Sequence, residues 1–120
     1  MLTVKRVYDE TKPGDGKRIL VDRLWPRGLT REQAGIDEWM KELAPSDELR
    51  RWYGHETEKW PEFRRRYIGE LSSPEKAKPL DKVARMAREG NVTILYAAKD
   101  IEHNNAKVLE EIILGSARSK

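Results

Sequence analysis

The run Val92-Thr93-Ile94-Leu95-Tyr96-Ala97-Ala98 is apolar almost without interruption. A strand with one wet face alternates in polarity, whereas a strand apolar throughout must be covered on both faces. That is the habit of parallel sheets, whose crossover helices lie above and below. The residues ahead of the run supply such a helix. Ser73-Pro74 places an N-cap before a proline at the first helical position, Leu80, Val83, Ala84 and Ala87 mark one face, and Gly90 marks the stop. Helix followed by buried strand is half of a parallel βαβ unit. The expected fold is α/β: a small, at least partly parallel β-sheet covered by helices. With 120 residues the chain is long enough for a single domain over 1–120 and too short for two.

A second strand is read at Ile19 to Leu24, apolar on both faces apart from Asp22 and Arg23, and is placed centrally. Trp25 and Pro26 stop it, and Gly28 lets the backbone turn. Leu2 to Tyr8 alternates, as a half-exposed strand near a sheet edge does. Between them lies Lys12-Pro13-Gly14-Asp15-Gly16-Lys17. Its Gly-Lys pair is no phosphate loop, because Thr11 occupies the place of the upstream glycine, Arg18 follows the lysine, and a strand comes next.

Further helices are marked by their caps. Thr30 and Gln33 have capping-box spacing. Trp39, Met40 and Leu43 are spaced as a helix face, and Ser46 with Asp47 and Glu48 starts another helix, anchored by Leu49 and by Trp52 or Tyr53. Trp60-Pro61 opens a stronger helix on Trp60, Phe63, Tyr67 and Leu71, with Arg64, Arg65 and Arg66 on the other side. Asp100 suits the N-cap of a last helix on Val108, Leu109, Ile112 and Ile113, with Gly115 as its stop.

Ligands of open α/β sheets bind beyond the carboxyl ends of the strands, so the residues following the two buried strands are the candidate site. After the first come Asp22, Arg23, Trp25 and Arg27; after the second come Lys99, Asp100, His103 and Asn104. If the two strands are adjacent and parallel, these clusters meet in one cleft. Arginine offers a planar fork to phosphate or carboxylate, and an indole offers a stacking face. Asp22 and His103 are the acid or base candidates; Arg23, Trp25, Arg27, His55, Lys99, Asp100 and Asn104 are the ligand-binding candidates. The bland readings are an ion pair of Asp22 with Arg23 or Arg27, and a core tryptophan flanked by snorkelling arginines.

Composition bounds the alternatives. Zero cysteines exclude disulfides, thiol nucleophiles and cysteine metal sites. His55 and His103 lack the spacing of a helical metal motif, so no metal site is assigned, and the residues specify no cofactor. No apolar run reaches membrane-span length and no signal peptide is evident, so a cytoplasmic location is expected with no membrane partner. A net charge of +3 permits an anionic partner without requiring one. The reading is a protein that binds, or acts on, a nucleotide or other small anionic metabolite. The alternative is a nucleic-acid- or protein-binding accessory module using Arg64 to Arg66 and the arginines after the second strand, although Glu62 and Glu70 beside the triplet favour a solvated, ion-paired face there. No periodicity identifies which of the four tryptophans would sit at an oligomer contact.

The phrases VDRLWPRGLTRE, WMKELAPSDELRRWYGH, WPEFRRRY and TILYAAKDIEHNNAKVL resemble the YeaO-like branch of the domain of unknown function 488 family over nearly the whole chain. The resemblance implies a small prokaryotic cytoplasmic α/β protein and no established reaction. Broader members resemble LCAEKDPEHCHR where this chain runs from Leu95 to Ala106. Lys99, Asp100 and His103 match that pattern. Tyr96 and Asn104 stand in place of its cysteines, Ala98 of its glutamate, and Asn105 and Ala106 of its histidine and arginine, so thiol or metal chemistry does not carry over.

Overall fold

The computed structural model describes residues 1–118. Four strands, β1 (Leu2–Arg6), β2 (Lys17–Leu20), β3 (Glu38–Trp39) and β4 (Val92–Tyr96), form one sheet in the order β1-β4-β2-β3. Every pairing is parallel, with Leu2 opposite Val92, Ile19 opposite Ile94, and Leu20 opposite Trp39. The fold is α/β. The apolar run of β4 is buried along its whole length because it sits inside the sheet, and β1 lies at an edge.

Alternate side chains of the strands feed two cores. On one face Ile19, Val21, Ile94 and Tyr96 pack against Phe63, Tyr67 and Leu71 of α3 (Trp60–Leu71), Val83 of α4 (Ala77–Glu89), and Val108, Leu109 and Ile113 of α5 (Asn105–Arg118). On the other face Val7, Leu20 and Leu95 meet Ala34 and Ile36, with Trp25, Leu29 and Trp39 at the margin. A single helical turn, α1 (Arg31–Ala34), suffices there, held by the Thr30–Gln33 capping box expected from sequence.

Towards the amino ends of the strands this thinner face holds a buried polar knot. Arg18, 2% exposed, pairs with Asp15 and donates to the carbonyls of Ala34 at 2.8 Å and Gly35 at 3.1 Å. Lys5 reaches the same carboxylate at 3.1 Å, and the Thr93 hydroxyl donates to the Asp15 carbonyl at 2.8 Å. Burial opposes the Asp15 charge, but the Lys12 amide and the Lys5 and Arg18 cations outweigh it and lower its pKa. Gly16 closes the loop at φ 64°, and a Cβ there would stand 2.0 Å from the Asn91 carbonyl oxygen. Only glycine lets the start of β2 lie this close to the start of β4.

Several expected boundaries move. β2 ends at Leu20: the Val21 amide still donates to the Leu95 carbonyl, but beyond it the Asp22 side chain replaces the ladder and Leu24 turns out, 58% exposed. Trp39 and Met40 lie in and just after β3, not on a helix, with Leu43 in the following 3-10 turn Lys41–Leu43. Their adjacent positions face opposite cores, and the Met40 amide donates to Leu20. Ser46 caps α2 (Asp47–Tyr53) as expected, accepting from the Leu49 amide. Ser73 caps nothing with its side chain; a 3-10 turn, Pro74–Lys76, leads into α4. The last helix is capped by Asn104, whose side-chain oxygen accepts from the Lys107 amide at 3.0 Å, while Asp100 closes the preceding turn. Gly115 does not stop it, since α5 continues to Arg118. No helix among the described residues is long and apolar enough to cross a membrane.

Candidate functional site

β2 and β4 are neighbours and parallel, so the segments that follow them emerge side by side. A cleft of about 530 Å³ opens there, within the size range of small-molecule sites. Asp22, Arg23, Trp25 and Arg27 line one wall, and His103 and Asn104 line another. His55 joins them from the loop after α2. Gly54 and His55 are both left-handed, with φ of 54° and 60°, and the paired reversal carries the chain from the end of α2 along the cleft. Histidine is one of the few residues found in that region without glycine.

Asp22 is half-buried. Its Oδ2 accepts from the Ala97 amide at 2.8 Å, so the carboxylate ties the chain leaving β2 to the chain leaving β4. Burial raises its pKa, against the Ala97 amide, the Asn105 amide and the nearby His55, which hold it down. The ion pair of Asp22 with Arg23 or Arg27 is not formed among the described residues. Arg23 instead donates to the Pro45 carbonyl at 3.1 Å and lies 3.7 Å from Asp47. Arg27 is exposed, and no described side chain pairs with its guanidinium; only its backbone carbonyl is held, by the Tyr8 hydroxyl at 3.0 Å.

Trp25 is locked as a wall. Its indole N–H donates to the Leu29 carbonyl at 2.7 Å, and its ring meets Trp39 edge-on at 5.1 Å between centroids. His103 is set by Asp100, whose Oδ2 lies 2.9 Å from Nδ1. The amides of Glu102 and His103 and the imidazole lower the Asp100 pKa, so an ionised acceptor faces Nδ1. With Nδ1 engaged by Asp100, Nε2 is the ring nitrogen left for another partner. Asp100 therefore stands behind the cleft wall, and Lys99 is exposed outside it. Asn104 is buried with both ends of its amide engaged, by the Lys107 amide and the Asp100 carbonyl.

A family model described as "Inactive DUF488-N3 subclade" matches residues 1–120. The chain belongs to this DUF488 family. It is 43% identical over 107 residues to "Uncharacterized protein YeaO" of Escherichia coli (strain K12), covering 89% of this chain and 91% of that one. It is 37% identical over 112 residues to "Uncharacterized protein Rv3073c" of Mycobacterium tuberculosis (strain ATCC 25618 / H37Rv), covering 93% and 92%. No solved structure matches. The YeaO-like branch of the DUF488 family expected from the sequence phrases is thus the right one.

The cleft of this DUF488 protein also draws on residues that spacing alone did not single out. Arg50 and Arg51 of α2 line it, with Tyr8, Tyr53 and Asn105. The wall therefore carries four arginines against one carboxylate, Asp22. Asp47 offsets Arg23 and Arg50 at the rim, and neither Arg27 nor Arg51 has such a partner among the described residues. The signal for Arg51 was present in the short α2 itself: Leu49 and Tyr53 point inward, which leaves the intervening arginines to its open side. The basic triplet of α3 is matched in place, Arg64 by Glu111, and Arg65 and Arg66 by Glu62, whose pKa falls to about 2 under those two arginines. Among the described residues no group of three acidic, histidine or cysteine side chains is arranged to hold a metal ion.

Proposed function

We propose that the cleft binds a small anionic metabolite of about nucleotide size, and that the protein works as a binder of that compound. The observation that carries the reading is the excess of arginine over carboxylate in the cleft wall, where Arg27 and Arg51 line the cleft with Trp25 and have no carboxylate partner among the described residues. Unpaired guanidinium groups at a concave surface hold a phosphate or carboxylate in bidentate fashion, and the low-dielectric wall strengthens the attraction. His103, held at Nδ1 by Asp100, adds a ring nitrogen of fixed direction for hydrogen bonding, so the ligand is oriented as well as held.

Binding is favoured over turnover by two observations. The matching subclade is described as inactive. Where broader relatives resemble a cysteine-bearing loop, this chain has Asn104, whose amide is engaged in capping α5.

A thermal-shift series with inorganic phosphate, ribose 5-phosphate and nucleotides tests the reading. A ligand at a hundred times its Kd raises stability by about 2.7 kcal/mol, a shift of several degrees. Arg27→Ala, at an exposed position whose guanidinium has no partner among the described residues, should keep the melting temperature of the free protein and lose that shift. No shift with any of these anions, or an equal shift in Arg27→Ala, would overturn the assignment. A short oligonucleotide whose shift survives Arg27→Ala and disappears in Arg65→Ala would instead move the function to the basic face of α3.

A further inference from the structure

We infer that Asp22 reads an N–H donor on the ring of the bound compound, which narrows the ligand to a nucleoside monophosphate; this rests on the anion-binding reading above. A carboxylate offers about four acceptor positions. The Ala97 amide takes one, at 2.8 Å, and the Asn105 amide, which also donates to the Val21 carbonyl at 2.9 Å, supplies a second. No lysine or arginine among the described residues forms an ion pair with the carboxylate, although four arginines line the same cleft, and His55 acts on it through its charge alone. Acceptor capacity is therefore left facing the cleft, and a desolvated acceptor favours a ligand that brings a donor.

The cleft thus makes three separate demands. Arg27 and Arg51 call for an anion. The locked Trp25 ring, with Tyr53 and Tyr8 along the same cleft, calls for a flat body. Asp22, fixed in direction by a backbone amide, calls for a donor on that body. Inorganic phosphate meets the first demand only, and a sugar phosphate lacks the flat ring. A nucleoside monophosphate meets all three, with phosphate, base face and base N–H in one molecule. The fixed direction matters for selection, because a site built to accept a hydrogen bond rejects an analogue lacking the donor more strongly than an apolar pocket rejects a change of shape.

The test is calorimetric titration of the wild type with the four ribonucleoside monophosphates, with ribose 5-phosphate, and with the tightest nucleotide carrying methyl groups in place of its base N–H hydrogens. The tightest nucleotide should bind at least about tenfold better than ribose 5-phosphate, and methylation should remove about that factor. Asp22→Asn should remove the advantage of the nucleotide over ribose 5-phosphate, and the ratio of the two affinities reads that loss apart from the change of charge that both phosphates feel. The methylated ligand keeps the test independent of whether the variant folds. Equal binding of ribose 5-phosphate and every nucleotide, or of the methylated and parent nucleotides, would overturn the role of Asp22 while leaving the anion site in place. Absence of binding by any of the compounds would overturn both.

Discussion

Asp22 carries its charge where the fold opposes it, and the opposition has a measurable sign. Its folded-state pKa lies above the ordinary aspartate value, chiefly through burial. A carboxyl group of this kind contributes most to stability below its unfolded pKa, and that contribution is lost as pH rises through the folded value. Asp22→Asn removes the titration but keeps an oxygen for the Ala97 amide. The stability difference between variant and wild type, followed by urea unfolding, should therefore shift in favour of the variant as pH rises from about 4 towards 7. A difference independent of pH would show that Asp22 ionises as freely in the folded protein as in the unfolded one. At this scale the sequence was informative about position and silent about pairing. Asp22 is conspicuous as a carboxylate closing an apolar run, yet its partner is the Ala97 amide, 75 residues away, and not a neighbouring arginine. Backbone donors leave no trace in side-chain chemistry.

Among the elements, those with local signals are the legible ones. The Thr30–Gln33 box, the Ser46 cap and the apolar face of α3 form as their residues dictate, because cap and face lie within one or two helical turns. β3 was hidden because two residues cannot show a period, and it exists only by pairing with β2. α5 starts one turn later than an Asp100 cap predicts. Asp100 and Asn104 are both good caps, and the turn built by Asp100 places Asn104 at the helix start. The two readings of Asn104, cap or ligand contact, separate cleanly. Asn104→Ala should lower stability by about 1 kcal/mol, seen as a fall of a few degrees in melting temperature. It should leave the affinity for an anionic ligand unchanged in the same titration that Arg27→Ala abolishes. A variant of wild-type stability and weakened binding would return Asn104 to the ligand.

For the molecule as a whole, the knot around Asp15 joins the sheet's three adjacent strands, with Lys5 from β1, Arg18 from β2 and Thr93 from β4. Asp15→Ala leaves the Arg18 charge buried without its counter-ion, a change that costs about 3–5 kcal/mol in comparable buried pairs. Chemical denaturation should show this loss with little change in m-value. The wild type should also lose stability as pH falls below about 4, through the lowered Asp15 pKa, and Asp15→Asn should lack that part of the acid sensitivity. A cost below about 1 kcal/mol would make the knot ornamental. No pattern in the sequence announces it, since Asp15 and Lys17 read only as loop, and the burial of Arg18 follows from the crossover.

That crossover sets the timetable of synthesis. β4 lies between β1 and β2, and its first residue, Val92, pairs with Leu2. A ribosome extrudes both outer partners long before the strand that joins them, so the growing chain carries two strands with open edges and no ladder between them. Contacts this distant in sequence make folding slow and late. The cleft inherits the same delay, because its walls follow β2 and β4. The walls of the cleft come together only after β4 and the loop that follows it, as far as Asn104 and Asn105, have been made.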